Sequence, residues 1–151
     1  MEDQQATYFT PVVPLDFGYN YRVGPYIERY LDSLKEKKIV GVKCPGCRSV
    51  FVPPRMYCGK CSEKLEDWVE VAQEGTLENF TVGHVTMEKG KLSPADPYIL
   101  GMVRLDGATS LLLGRVEKVS PSDLKAGMRL RAAWNDGSEN EYLLLDHFEP
   151  A

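Results

Sequence analysis

The chain has 151 residues, of which 43% are hydrophobic, and 18 Lys and Arg against 22 Asp and Glu give a net charge of −4. That apolar content suits a globular core and excludes global disorder, while the length allows one domain or two very small ones. No apolar run reaches the roughly 18 residues of a membrane span, Met1-Glu2-Asp3-Gln4-Gln5 lacks the basic and apolar regions of a secretory signal, and an acidic balance disfavours general nucleic-acid binding, so a cytoplasmic protein without a membrane partner is expected.

Residues 1–24 read as an extended arm, because Pro11 and Pro14 break regular structure and Gly18 and Gly24 loosen it. The arm is nevertheless aromatic. Tyr8, Phe9, Phe17, Tyr19 and Tyr21, with Tyr26 and Tyr30 just beyond, are seven of the chain's fifteen aromatic residues. A solvated tail does not carry such a load. The rings pack either on the protein's own body or on a partner, and their enrichment at interface hot spots makes all seven candidate partner contacts.

Residues 25–38 read as a helix. Gly24 stands at the N-cap, Pro25 fits the first helical position, and Tyr26, Ile27, Tyr30, Leu31 and Leu34 share one face. Glu28 and the lysines 35, 37 and 38 complement the helix dipole; such a lysine cluster is ordinarily a solvated helix end. A short strand over 39–43 follows, with Ser49–Val52 and Trp68–Val71 as further strand candidates.

Between these strands lie all four cysteines. Cys44, Cys47, Cys58 and Cys61 form two C-x-x-C pairs separated by ten residues. Nothing suggests secretion, so a disulfide framework is not expected. In a reducing compartment, paired knuckles of this kind bring four thiolates to one tetrahedral ion. Gly46 and Gly59 ease the tight turns. Zinc and iron both suit four sulfurs. Zinc is favoured because rubredoxin iron sites place Gly directly after a knuckle, where Arg48 and Ser62 stand here. A closed four-sulfur site has no open position, so its role is structural, and the small ribbon around it depends on metal to fold.

From residue 73 onward the pattern is all-β. Strands are expected over Thr76–Met87, with a bulge or bend at Gly83, then Tyr98–Leu105, Thr109–Val119, Arg129–Trp134 and Glu141–Phe148. Asp106-Gly107 signals a hairpin turn, and Ser120–Lys125 reads as a helical turn ended by Gly127. Five strands with a turn between the third and fourth predict an oligonucleotide/oligosaccharide-binding (OB) barrel; an SH3-type barrel is the alternative. The whole is α+β and mainly β: an arm over 1–24, a helix plus rubredoxin-like zinc ribbon over 25–72, and a five-stranded OB-fold barrel over 73–151.

Across residues 26–150, several segments resemble one family. They are Cys44-Pro-Gly-Cys47, Phe51-Val-Pro-Pro-Arg55, Cys58-Gly-Lys-Cys61, Trp68-Val-Glu-Val71, Gly75-Thr-Leu-Glu-Asn-Phe-Thr-Val82, Pro97 through Leu105, and Gly127-Met128. In this order they resemble the zinc-ribbon/OB-fold proteins associated with acyl-CoA enzymes and encoded beside thiolases. Among these, the chain is most similar to small subunits of thiolases acting on benzoylsuccinyl-CoA in anaerobic toluene breakdown. The resemblance implies a non-catalytic accessory subunit in a hetero-oligomer. It would bind a thiolase-fold catalytic subunit and help complete or shield the site for CoA or acyl-CoA, with structural Zn²⁺ as its own cofactor.

The residues agree that catalysis belongs to a partner. Thiolysis needs a thiolate nucleophile and a base, and every cysteine is a proposed metal ligand. His84 and His147 fall in predicted strands with no nucleophile beside them in sequence, and Glu139, Glu141 and Asp146 read as a solvated acidic face. No phosphate-loop, metalloprotease or nucleophile-elbow motif occurs. Lys43, Arg48 and Arg55 flank the ribbon and are candidates for the anionic end of CoA. Phe51 and Pro53-Pro54 are candidates for a dry wall at its acyl end. Two other functions compete. One is a single-strand nucleic-acid module, which the slightly acidic barrel disfavours; the other is a pure scaffold between two acyl-CoA enzymes.

Overall fold

The computed structural model describes residues 18, 21–88, 91–138, 140 and 143–151. Helix α1 spans Pro25–Lys35 and buries Tyr30, Leu31 and Leu34. It starts at Gly24, whose φ of 81° suits glycine. It stops three residues earlier than the periodicity predicts. Lys37 takes a left-handed φ of 55°, and its N–H donates to Leu34 O while that of Lys38 donates to Ser33 O, which closes the last turn. A lysine in the position where glycine is usual gives no sequence signal for this stop.

Three short strands follow: β1 (Ile39–Lys43), β2 (Val50–Phe51) and β3 (Asp67–Val71), forming an antiparallel sheet in the order β2-β1-β3. Ile39 and Val42 on the central strand are fully buried.

The remaining strands are β4 (Glu74–Glu88), β5 (Lys91–Leu105), β6 (Leu112–Val116), β7 (Arg129–Trp134) and β8 (Leu145–Pro150). They close into a barrel in the order β4-β5-β6-β8-β7, with β6 and β8 parallel and β7 back on β4. This is the OB arrangement rather than the SH3-type alternative. A register shift beside Gly83 confirms the expected bulge. The Tyr98 ring lies over this glycine, where an added Cβ would stand 2.2 Å from the ring.

Several strand boundaries differ from expectation: the first barrel strand is slightly longer, over Glu74–Glu88, and the third ends at Val116 rather than Val119. The second barrel strand begins at Lys91 rather than Tyr98, because it pairs with β4 along a long hairpin. The last runs over Leu145–Pro150 rather than 141–148. The third begins at Leu112 rather than Thr109, because Thr109 and Ser110 bond to the ribbon instead of to a barrel neighbour. The segment from Ser120 is a turn, closed by Asp123 N–H donating to Ser120 O, and not a helical turn.

One core joins helix, ribbon and barrel. Leu31, Leu34, Ile39, Val52 and Val71 belong to the same apolar cluster as Leu77, Val103, Leu130 and Phe148 of the barrel. A second cluster of Val42, Cys44, Phe51, Cys58 and Leu65 lies within the ribbon, with Tyr26 and Trp68 packed against it.

Candidate metal centre and its surroundings

The two C-x-x-C knuckles fold alike. Arg48 N–H donates to Cys44 O and Ser62 N–H donates to Cys58 O, both at 2.9 Å. Arg48 and Ser62 both adopt left-handed backbone, with φ of 58° and 59°. Directly after each knuckle, non-glycine residues thus bear the strain of a left-handed backbone. Cys44 N–H donates to Ser49 O, and Cys58 N–H to Glu63 O, tying each knuckle to the chain that leaves it.

This geometry brings the four sulfurs together, all within 4.8 Å of one another. Cys47 and Cys58 Sγ are 3.6 Å apart, Cys58 and Cys61 3.8 Å, and Cys44 and Cys61 3.9 Å. A tetrahedron with metal–sulfur bonds of about 2.3 Å has edges of about 3.8 Å, so the donor set fits a four-thiolate zinc site. Cys44 and Cys58 are buried in the ribbon's own core, whereas Cys47 and Cys61 face outward. Without a cation the cluster resists full ionisation. Ser49 hydrogen-bonds Cys47 and pulls its thiol down to about 6. Crowding by Cys47 pushes Cys61 up to about 12, with burial and the other sulfurs adding to it. A divalent cation relieves that crowding.

Lys43, Arg48 and Arg55 stand as follows. Lys43 ends β1 immediately before Cys44, and Arg48 follows Cys47. Arg55 lies 4.3 Å over the Phe51 ring. Of the predicted dry wall, Phe51 is buried beneath Arg55, Pro53 is exposed and Pro54 is buried. Pro54 lines a cleft of about 220 Å³ with Tyr26, Ile27, Arg55 and Met56.

The seven aromatic candidates divide differently. Tyr8, Phe9, Phe17 and Tyr19 lie outside the described residues. Tyr21 is 77% exposed. Tyr26 donates to Leu65 O at 2.6 Å and stacks on Trp68 with centroids 5.4 Å apart. Tyr30 is committed to the core, and burial pushes its hydroxyl up to about 12. Helical spacing alone does not separate a ring facing the chain's own core from one facing a partner.

Of the other groups weighed from sequence, His84 is exposed. His147 Nδ1 stands 2.9 Å from Asp146 Oδ2 and faces carboxylates rather than a nucleophile. Glu139 and Glu141 lie outside the described residues.

Sequence reasoning missed the connection between ribbon and barrel. Thr109 and Ser110 N–H both donate to Val50 O, and Val50 N–H donates to Thr109 Oγ1 at 3.0 Å. Ser110 Oγ accepts from Val52 N–H at 2.7 Å and donates to Val52 O at 2.8 Å. The free edge of β2, which leaves the first knuckle, is therefore capped by barrel residues. A T-S pair after a D-G turn was the signal available, since such side chains bond backbone readily.

Residues 31–66 match the rubredoxin-like zinc ribbon domain of ChsH2, and residues 68–135 match the ChsH2 C-terminal OB-fold domain. The chain belongs to the ChsH2-like, or DUF35, family. Its zinc-ribbon region and closed OB barrel are those of the family. A DUF35 domain-containing scaffold protein of Methanocaldococcus jannaschii is 26% identical over 117 residues, covering 74% of this chain and 81% of the relative. A probable enoyl-CoA hydratase alpha subunit of Thermomonospora curvata is 27% identical over 124 residues; the match covers 81% of this chain but spans only 36% of that protein's length. Among solved structures, a chain of an Ltp2-ChsH2(DUF35) aldolase superposes with a TM-score of 0.65 at 22% identity, over 87% of this chain and 98% of that one, which shows a shared fold. A DUF35 protein of unknown function from Sulfolobus solfataricus gives a TM-score of 0.64 at 26% identity, over 85% and 87% of the two chains. No helix among the described residues is long and apolar enough to cross a membrane.

Proposed function

We propose that this chain is a non-catalytic accessory subunit of an enzyme that acts on an acyl-CoA thioester. The observation that carries the reading is the one-core union of ribbon and OB barrel in a family whose named members include a scaffold protein, an aldolase-complex component and a hydratase subunit. A fold shared among partners of different chemistries supplies assembly and positioning rather than one reaction.

In this reading Cys44, Cys47, Cys58 and Cys61 hold structural Zn²⁺, which fixes both knuckles. The partner is a thiolase-fold catalytic subunit, and benzoylsuccinyl-CoA is its favoured acyl-CoA. The cleft beside Arg55 gives an apolar wall toward the thioester end of the acyl-CoA. Tyr21, with the aromatic residues of the arm, contacts the partner. The arm, the helix with its ribbon, and the barrel are the working units of that assembly.

The test is native mass spectrometry of the untagged complex from source cells, with metal content measured on the same sample. A stable assembly with an acyl-CoA enzyme subunit and one zinc per copy of this chain is expected. A zinc-loaded chain found alone would remove the accessory-subunit reading.

A further inference from the structure

Charge is divided unevenly along the chain. Residues 21–66 carry ten Lys and Arg against five Asp and Glu, whereas residues 67–151 carry eight against fourteen. Ion pairing sharpens the division. In the barrel, Arg104, Arg115, Lys118, Arg129 and Arg131 each hold a carboxylate. In the helix and ribbon, Lys35, Lys37, Lys38 and Lys64 are paired. Arg22, Arg29, Lys43, Arg48, Arg55 and Lys60 meet no carboxylate among the described residues.

Four of these six surround the sulfur cluster. Lys43 precedes Cys44, Arg48 follows Cys47, and Lys60 sits within the second knuckle. Arg55 reaches that same knuckle, with an Nη 3.8 Å from where a Cβ on Gly59 would stand. One carboxylate residue, Glu63, packs beside Gly46. Scattered unpaired lysines are ordinary on a surface. Gathering of uncommitted cations on one lobe, while five of the six cationic side chains described in the barrel hold a carboxylate, is not. Four thiolates around a divalent ion carry two net negative charges, which fewer cations would offset.

The aromatic rings beneath these cations discriminate between anionic partners. Stacking a nucleobase needs an open ring face. Phe51 is buried under Arg55, and Trp68 stacks with the Tyr26 ring and carries Arg29 over it, the guanidinium carbon 4.3 Å from the ring centroid. Those two rings are occupied and Tyr57 alone of the ribbon's described rings is exposed, whereas a guanidinium held flat on a ring keeps its in-plane N–H donors free for carboxylates.

We infer that the ribbon tip, through Lys43, Arg48, Arg55 and Lys60, is the face by which this chain docks onto an acidic protein surface of its partner enzyme. The inference rests on the accessory-subunit reading and adds the docking face and the partner's chemistry. Docking of this kind is salt-sensitive and charge-steered.

The experiment co-expresses the full chain with the thiolase-fold acyl-CoA enzyme that co-purifies with it from source cells and measures assembly over a salt series. The combined variant K43E/R48E/R55E/K60E is compared with K125E, which alters a barrel lysine that meets no carboxylate among the described residues, and metal content and circular dichroism are read on each. The wild-type complex is expected to weaken as salt rises. The fourfold variant is expected to bind about a hundredfold more weakly with its metal retained, and K125E to match wild type. Should the fourfold variant lose metal, Arg48→Glu and Arg55→Glu are read singly, each about tenfold weaker. Metal-loaded variants that assemble within threefold of wild type overturn the docking face and leave the accessory reading standing. No complex with the wild-type chain removes the accessory reading, and this inference with it. Saturable binding of a 20-nucleotide single-stranded DNA, lost in the fourfold variant, would make nucleic acid the occupant and overturn the acidic-protein assignment.

Discussion

Replacing Ser110 with alanine tests how ribbon and barrel are joined. Ser110 Oγ accepts from Val52 N–H at 2.7 Å and donates to Val52 O at 2.8 Å. Val52 is 1% exposed, so its backbone groups have no ready substitute in water. Leaving a buried donor or acceptor unpaired costs about 1–3 kcal/mol. Two such groups give an upper range of about 2–6 kcal/mol. Ser110 itself is only half-buried, so water entering the vacated space recovers part of this, and a loss of about 2–3 kcal/mol is expected. Against a typical total of about 5–15 kcal/mol that is a large fraction, and it lowers Tm by roughly 5–10 °C for a chain of this size. The assay is urea unfolding of the zinc-loaded chain followed by fluorescence. Trp68 stands on the ribbon sheet and Trp134 on the barrel, so Trp68→Phe and Trp134→Phe backgrounds report each lobe separately. In S110A the ribbon transition should move to lower urea and away from the barrel transition. Ser120→Ala, which removes an exposed hydroxyl pair with Ser122, should stay within about 0.5 kcal/mol of wild type. If S110A unfolds like S120A, with both lobes still coincident, the hydroxyl clamp does not couple them.

Three further outcomes follow from the same geometry. Cys58→Ser should release zinc and unfold the ribbon with loss of complex activity, read by metal analysis and circular dichroism; full metal content would remove the four-thiolate assignment. Lys118 and Arg131 hold the Glu149 carboxyl down to about 2, so this group favours the folded chain above its ordinary 4.5, and that contribution disappears as pH falls from 4.5 to about 2. The Tm difference between wild type and Glu149→Gln should therefore shrink across that window, and a difference independent of pH would refute the pairing. Gly75→Ala would place a Cβ 2.3 Å from Arg104 O on the neighbouring strand, and because backbone must move, a loss of about 3 kcal/mol is expected in chemical denaturation.

The four-cysteine cluster was legible in the sequence because its geometry is local. Two C-x-x-C turns position their own sulfurs, and the structure needed only to bring one knuckle against the other. The helix was legible for the same reason, as was Arg129–Trp134, whose alternation faces one core. Signals failed where the deciding contact is distant in sequence. Thr109 and Ser110 have the composition of a strand start, but they bond to Val50 and Val52, about sixty residues away, which moves the start of β6 to Leu112. Tyr26 and Tyr30 belong to the same aromatic series as Tyr21, yet one is bound to Leu65 and Trp68 and the other lies in the core.

Charge shows the division most clearly. Composition fixes how many lysines and arginines lie in each part of the chain. Only tertiary structure decides which of them meet a carboxylate, because partners such as Arg131 and Glu149, or Lys37 and Asp136, meet through strand pairing or across lobes rather than through neighbouring positions. Residue type and short-range spacing therefore determined the four-cysteine cluster, the helix and the class of barrel. Long-range packing determined how the lobes are joined and which side chains remain free to meet another molecule.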